Sequence, residues 1–271
     1  MRDRARDLLV FVSDLRRSDV NKFFDLLRNL LFPPKCACCR TILPGVEEKY
    51  GTGLCLCRDC RVLWKRAKEE SCPTCLCPSH KCLCIEEKGS LKDMKLPKLL
   101  TYSPNLNNTQ NKMIFSLKKV NDKRISEFVA SELSVSMGRY FKDNFILPDE
   151  CIYTYVPRSR RAKGEFGFDQ GQRLSREIAR ICEGEFELLF VRLGGREQKR
   201  LDSEMRARNI SRTLKLKRNA EKKIKGRKVV VIDDLVTTGA TLDGAVKLLK
   251  RAKAAEVYVA CVARTCEKKR V

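Results

Sequence analysis

The sequence predicts an α/β fold in which a parallel sheet carries helices on both faces and a small metal-binding module precedes it. Three observations lead there. Residues 229–232, Val-Val-Val-Ile, form the continuous β-branched run expected of a strand covered on both sides. A strand-loop-helix succession occurs over 151–182 and again over 229–252, the pattern of a doubly wound sheet. Eleven of the fifteen cysteines fall between Cys36 and Cys84, well separated from both strand-loop-helix units.

A chain of 271 residues can bury one full α/β core and still carry a smaller unit. The expected division is an amphipathic helical segment over 1–33, a cysteine-rich module over 34–90 and the α/β domain over 91–271. In the first segment Phe23, Phe24, Leu26, Leu27, Leu30 and Leu31 share a helical face, and Pro33-Pro34 ends the helix. That face is expected to dock on the protein core, with membrane attachment as the alternative. The only uninterrupted apolar run near the start, Leu8 to Val12, is too short for a signal core or a membrane span, so a cytoplasmic chain is expected.

A dense cysteine cluster in a chain without export features argues for metal rather than disulfides, and zinc is the expected ion. Cys36-x2-Cys39 and Cys57-x2-Cys60 are two knuckles, each able to offer two thiolates to one tetrahedral ion. Cys72-x2-Cys75 opens a second site. Cys82 and Cys84 are chosen to close it, with Cys77 and His80 as the other donors in reach. The module is short and poor in apolar residues, so metal must supply much of its folding free energy. Cys38 and Cys55 are spares, and Cys151, Cys182, Cys261 and Cys266 are inert thiols, mostly beside apolar residues.

Residues 88–97 follow as a linker, and a strand over 99–102 opens the main domain. Met113, Ile114, Leu117 and Val120 recur at helical spacing, and Ile125, Phe128, Val129, Leu133 and Val135 extend the helical pattern toward Tyr140. Residues 151–156 form a strand stopped by Pro157. A basic loop with Arg158, Arg160, Arg161, Lys163, Gly164 and Gly167 comes next, and then a helix over 172–182.

The most informative stretch is 229–241. The buried strand is expected to end at Asp233, placing Asp233 and Asp234 at the carboxyl edge where open α/β sheets bind ligands and where carboxylates can hydrogen-bond sugar hydroxyls. Thr237, Thr238, Gly239, Ala240 and Thr241 then offer hydroxyls, backbone amides and a flexible glycine that can wrap a phosphate at a helix N-terminus. That helix shows in Leu242, Ala245, Val246, Leu248, Leu249 and Ala252, and a strand over 256–263 follows. Together these point to a phosphorylated sugar.

Lys and Arg exceed Asp and Glu by 57 to 34, a net charge of +23 that favours a polyanionic partner such as nucleic acid. The basic residues concentrate over 196–228, fourteen against four acids, without sustained apolar periodicity, and a mobile loop is expected there. Aromatic residues, at 7%, are sparse for base-stacking platforms.

The 229–241 block resembles the 5-phosphoribosyl-1-pyrophosphate (PRPP) signature of type I phosphoribosyltransferases. With the knuckles and the basic loop in the same order, the chain as a whole, roughly 26–264, resembles the ComF family. The resemblance is carried by Leu26-Leu-Arg-Asn-Leu-Leu-Phe-Pro-Pro-Lys-Cys36-Ala-Cys-Cys39, by Tyr102 and Leu117-Lys118, and by Gln198, Leu201, Arg206 and Asn209. The family's Arg-Gly-Phe-Asn-Gln loop stands here as Phe166-Gly167-Phe168-Asp169-Gln170, with Phe166 for Arg and Asp169 for Asn. The resemblance implies a type I phosphoribosyltransferase-like sheet with the PRPP phosphate on the 237–241 turn, ribose hydroxyls near Asp233 and Asp234, and magnesium bridging ribose and pyrophosphate oxygens. Arg158 would contact pyrophosphate, and Arg206 would reach in from the basic segment to serve the reaction with the two aspartates. It implies phosphoribosyl transfer with release of pyrophosphate or, alternatively, handling of single-stranded DNA during uptake in transformation.

Overall fold

The computed structural model describes residues 31–43, 55–85, 89–91, 94–102, 108–158, 164, 167–193 and 213–265. Five strands form one parallel sheet: β1 (Lys98–Tyr102), β2 (Cys151–Tyr155), β3 (Glu185–Phe186), β6 (Lys228–Val236) and β7 (Glu256–Thr265). Their spatial order is β1-β7-β6-β2-β3. Two further strands, β4 (Phe190–Arg192) and β5 (Leu214–Leu216), pair antiparallel as a separate ribbon. The helices are α1 (Arg58–Glu69), α2 (Thr109–Lys119), α3 (Lys123–Asp143), α4 (Gln170–Ile181), α5 (Ala220–Ile224) and α6 (Ala240–Arg251).

The sheet divides two apolar layers. On one face Val230, Ile232, Ala260 and Val262 pack with buried residues of α1 to α4. On the other, Val229, Val231, Val259 and Cys261 pack with α5, α6 and the β4–β5 ribbon. The alternation of neighbouring residues between layers explains why the run at 229–232 is apolar without a break: both faces are covered.

Three expectations need correction. The central strand does not end at Asp233. It runs on to Val236, because β7 stays in register as far as Arg264 and pairs with the backbone through both aspartates. A polar side chain does not stop a strand whose neighbour continues.

Residues 89–91 are more than a tether. They form a 3₁₀ turn packed on α6, where Leu91 is buried and the Ser90 amide donates to Asp243 Oδ1 at 2.6 Å. Within the basic segment, 213–228 is ordered as β5, α5 and the start of β6, since Leu214, Ala220 and Ile224 reach the second apolar layer while the cations stay outside. Residues 196–212 lie outside the described part, as do 1–30 and with them most of the N-terminal amphipathic face.

The cysteine-rich region shares the core of the sheet domain. Ala37, Leu43, Leu56, Trp64 and Ala67 belong to the same apolar layer as α2 to α4. Trp64, the only tryptophan, stacks at a tilt on Phe128 with centroids 5.7 Å apart, and its indole N–H donates to Glu132 Oε2 at 2.9 Å. Among the described residues no helix is long and apolar enough to cross a membrane.

Candidate active site and cysteine centres

A cleft of about 230 Å³ opens at the carboxyl ends of β2 and β6. Lys118 from the end of α2, Arg158 after β2, Gln170 opening α4, Arg192 from β4, and Asp233 and Asp234 from β6 all line it, as do Asp169 and Thr241. Two successive strand residues project to opposite faces, so the aspartates have unlike surroundings. Asp234 is buried on the α2–α4 side, where it accepts from Gln170 Nε2 and lies 3.4 Å from Lys118 Nζ.

Asp233 projects toward the α6 side, with an edge open to the cleft. Its carboxylate accepts the Asp234 amide at 2.8 Å. Burial, reinforced by the neighbouring Asp234 charge and only partly offset by Lys118, raises its pKa to about 7.

The strand then enters the turn at 237–239. Gly239 adopts φ 70°, the left-handed conformation that glycine reaches without strain, and α6 starts at the next residue. No side chain caps this helix, so its first amides and the positive end of its dipole face the turn. Thr237 is exposed, Thr238 and Thr241 are half-buried and Gly239 is buried.

Opposite the turn, both Arg158 terminal nitrogens donate to the Lys118 carbonyl at 3.3 Å, and the Arg158 amide reaches Asp169 Oδ2 at 3.4 Å. Gly171 lets α4 approach β2, since a Cβ there would come within 2.8 Å of the Tyr155 ring. Gln170 is buried and its Oε1 has no partner, an unmatched acceptor beside Asp234.

The structure thus gathers Asp233, Asp234, Thr241 and Arg158 around one cleft, with Thr237 to Ala240 on the adjoining turn. Arg206 lies outside the described residues. Sequence reasoning gave no role to Lys118, Gln170 or Arg192. Lys118 and Gln170 stood inside the quoted Leu117-Lys118 and Phe168-Asp169-Gln170 motifs, which were the available signal. Arg192 carried none, because the β4–β5 ribbon is too short to show a period.

The cysteines assemble into two quartets, Cys36, Cys39, Cys57, Cys60 and Cys72, Cys75, Cys82, Cys84, each with all sulfurs within 4.8 Å of one another. Tetrahedral Zn–S bonds of about 2.3 Å would set sulfurs roughly 3.8 Å apart. The Cys39–Cys57 and Cys75–Cys82 separations of 3.6 and 3.4 Å are close to that. Both quartets can hold a metal ion. Cys57 stands at the N-cap of α1 and Cys60 in its first turn, where the helix dipole favours thiolates.

His80 belongs to neither quartet; its Nδ1 lies 2.9 Å from the Lys68 carbonyl. Cys77 is exposed and also outside both. The spare thiols Cys38 and Cys55 are pushed up to about 12 by burial.

Residues 169–271 match the family model of the phosphoribosyl transferase domain. The DNA utilization protein YhgH of Shigella flexneri is 27% identical over 243 residues, spanning 87% of this chain and 99% of that protein. The competence protein ComFC of Streptococcus pneumoniae is 28% identical over 211 residues, spanning 75% and 84%. The chain is similar to both relatives over most of its length. The parallel sheet is phosphoribosyltransferase-like, and the Asp233–Thr241 turn falls inside the matched residues. A solved hypoxanthine-guanine phosphoribosyltransferase from Bacillus anthracis overlaps 56% of this chain and 76% of its own at 14% identity and a TM-score of 0.36.

Proposed function

We propose that the cleft binds PRPP with magnesium and transfers the phosphoribosyl group to an acceptor with release of pyrophosphate. The observation that carries this reading is the direct run of the Asp233–Asp234 pair into an uncapped helix N-terminus through a left-handed glycine. The amides of 237–241 receive the 5-phosphate. Asp233 and Asp234 accept the ribose hydroxyls. Lys118, Arg158 and Arg192 face the pyrophosphate, with Arg206 joining from the basic segment.

Hard oxygen donors on Asp233 and Asp234 suit a magnesium ion that arrives with the phosphates, and that ion supplies charge neutralisation when bound. Departure of pyrophosphate from the anomeric carbon builds negative charge on the leaving group. A ring of cations stabilises that charge without a dedicated protein base. Zinc in the two quartets serves the fold, because closed four-sulfur sites leave no open coordination position.

A second reading is favoured by the +23 net charge and by the names of the relatives, a DNA utilization protein and a competence protein. In this reading the exposed cations of 213–228 hold single-stranded DNA through phosphates. A screen for pyrophosphate release with PRPP, magnesium and candidate acceptors, run beside a DNA-binding assay, separates the two. Release with an acceptor establishes transfer. Tight DNA binding without release favours the nucleic-acid role.

A further inference from the structure

We propose that Lys98 is the countercharge of the second cysteine quartet, so that retention of the metal by Cys72, Cys75, Cys82 and Cys84 depends on an ammonium group supplied by the edge strand of the sheet. This rests on the proposed occupation of that quartet by zinc. Lys98 opens β1 and is fully buried, although lysine is almost never fully buried unless paired. Its Nζ donates to the backbone carbonyls of Cys82 and Cys84, both members of the quartet, at 3.2 and 3.0 Å.

Carbonyls orient the ammonium but leave its charge unmatched. No carboxylate forms an ion pair with it among the described residues. Asp233 belongs to the same cross-strand row but stands two strands away, beyond the fully buried Cys261. Four thiolates around a divalent ion sum to a net −2, and that is the nearby negative charge the buried cation lacks.

Lys98 is also fixed in place. Ser136 Oγ, with one proton to donate, lies 2.8 and 3.1 Å from the His80 and Lys98 carbonyls, and the Leu96 amide donates to the Leu83 carbonyl at 3.0 Å. The ammonium therefore stays with the segment that carries two of the four ligands. The first quartet gathers around the N-terminus of α1 instead. The two sites thus balance their charge by different means.

The test uses the full chain purified with zinc, ions counted by native mass spectrometry and release followed with a chromogenic chelator. Partners beyond the direct ligands are worth about 10–100-fold in metal affinity. Lys98→Met should therefore release the second ion 10–100-fold faster while the first leaves at the wild-type rate, which also shows that the variant is folded. Lys98→Arg should restore most of the retention. If Lys98→Met loses the first ion as well, Lys98→Gln removes the charge more gently and carries the same expectation. Release of the second ion at the wild-type rate from the charge-free variant overturns the proposal, as does an arginine variant no better than methionine. If Cys72→Ser leaves the ion count unchanged, the second quartet holds no metal, and both the zinc reading of that quartet and this inference fall together.

Discussion

The cysteine-rich region and the carboxyl edge of the sheet both gather polar side chains, but they are held by different forces. Around the cleft, Asp233, Asp234 and Lys118 stand on elements whose apolar faces are already buried: Val229 to Ile232 beneath the aspartates and Leu117 beside the lysine. Around the quartets, the donors lie on turns and on one end of α1, and although Cys36 and Cys60 reach the shared apolar layer, only a bound cation can offset four thiolates held together. The cleft should therefore persist without its ligand, whereas the quartets should not persist without theirs.

Chelation tests this contrast at its largest. Structural zinc sites carry about 10–16 kcal/mol of apparent binding free energy in small modules. Stripping the metal should expose Trp64, which is 1% exposed in the fold. Its emission should shift to the red, while far-ultraviolet circular dichroism retains the signature of the sheet and its helices. Cys36→Ser should do the same. An unchanged tryptophan spectrum after complete metal removal would mean that the region holds itself together by packing alone.

The cleft has its own sensitivity, to protons. An acid whose pKa is raised in the fold contributes stability below its unfolded value and loses it as pH rises through the folded one. Asp233, raised to about 7, should make the protein progressively less stable between about pH 4 and pH 7. One pKa unit corresponds to about 1.4 kcal/mol, so Asp233→Asn should flatten the urea-denaturation profile over that range by a few kcal/mol. A variant profile parallel to wild type would assign the proton elsewhere. The same titration should strengthen PRPP binding from pH 6 to pH 8, because the ionised carboxylate is the better acceptor for ribose hydroxyls.

Much of this architecture was legible in the sequence. The buried strand, the aspartate pair and the following helix were visible because covered parallel strands and amphipathic helices have different periods; cysteine spacing grouped the first quartet and opened the second, whose closing pair had Cys77 and His80 as rivals. The β4–β5 ribbon and α5 were not legible. Three to five residues give no period, and the eight cations of 213–228 hid the few apolar side chains that dock. Strand length past Asp233 depends on β7 in register, a partner 28 residues away that local pattern does not announce. Lys98 was hidden for a similar reason: its burial depends on the turn carrying Cys82 and Cys84 being folded over β1.

The exposed cations offer a third, intermediate effect. Single-stranded DNA that contacts about five phosphates should give a log affinity against log salt slope of roughly −3.5. Glutamate at Lys215, Lys217 and Arg218, all exposed, should reduce its magnitude by about two, at roughly 0.7 per contact. A slope unaltered by the triple variant would locate DNA elsewhere. Smaller still is the expected effect of Lys118→Met, which removes the 3.4 Å partner of Asp234 and one cation of the cleft. PRPP affinity should fall about tenfold, equivalent to about 1.4 kcal/mol, with little change in the melting temperature of the free protein.

The central claim, that the Asp233–Thr241 turn is a PRPP site, is tested most directly by calorimetric titration of magnesium-PRPP into the intact protein, paired with a thermal melt. Saturable heat is expected, with a stabilisation of about 2.7 kcal/mol at a hundredfold excess over the dissociation constant. The double variant Asp234→Ala, Thr238→Ala should show neither. A wild-type protein that gives no heat and an unshifted melt with millimolar magnesium-PRPP would contradict the account.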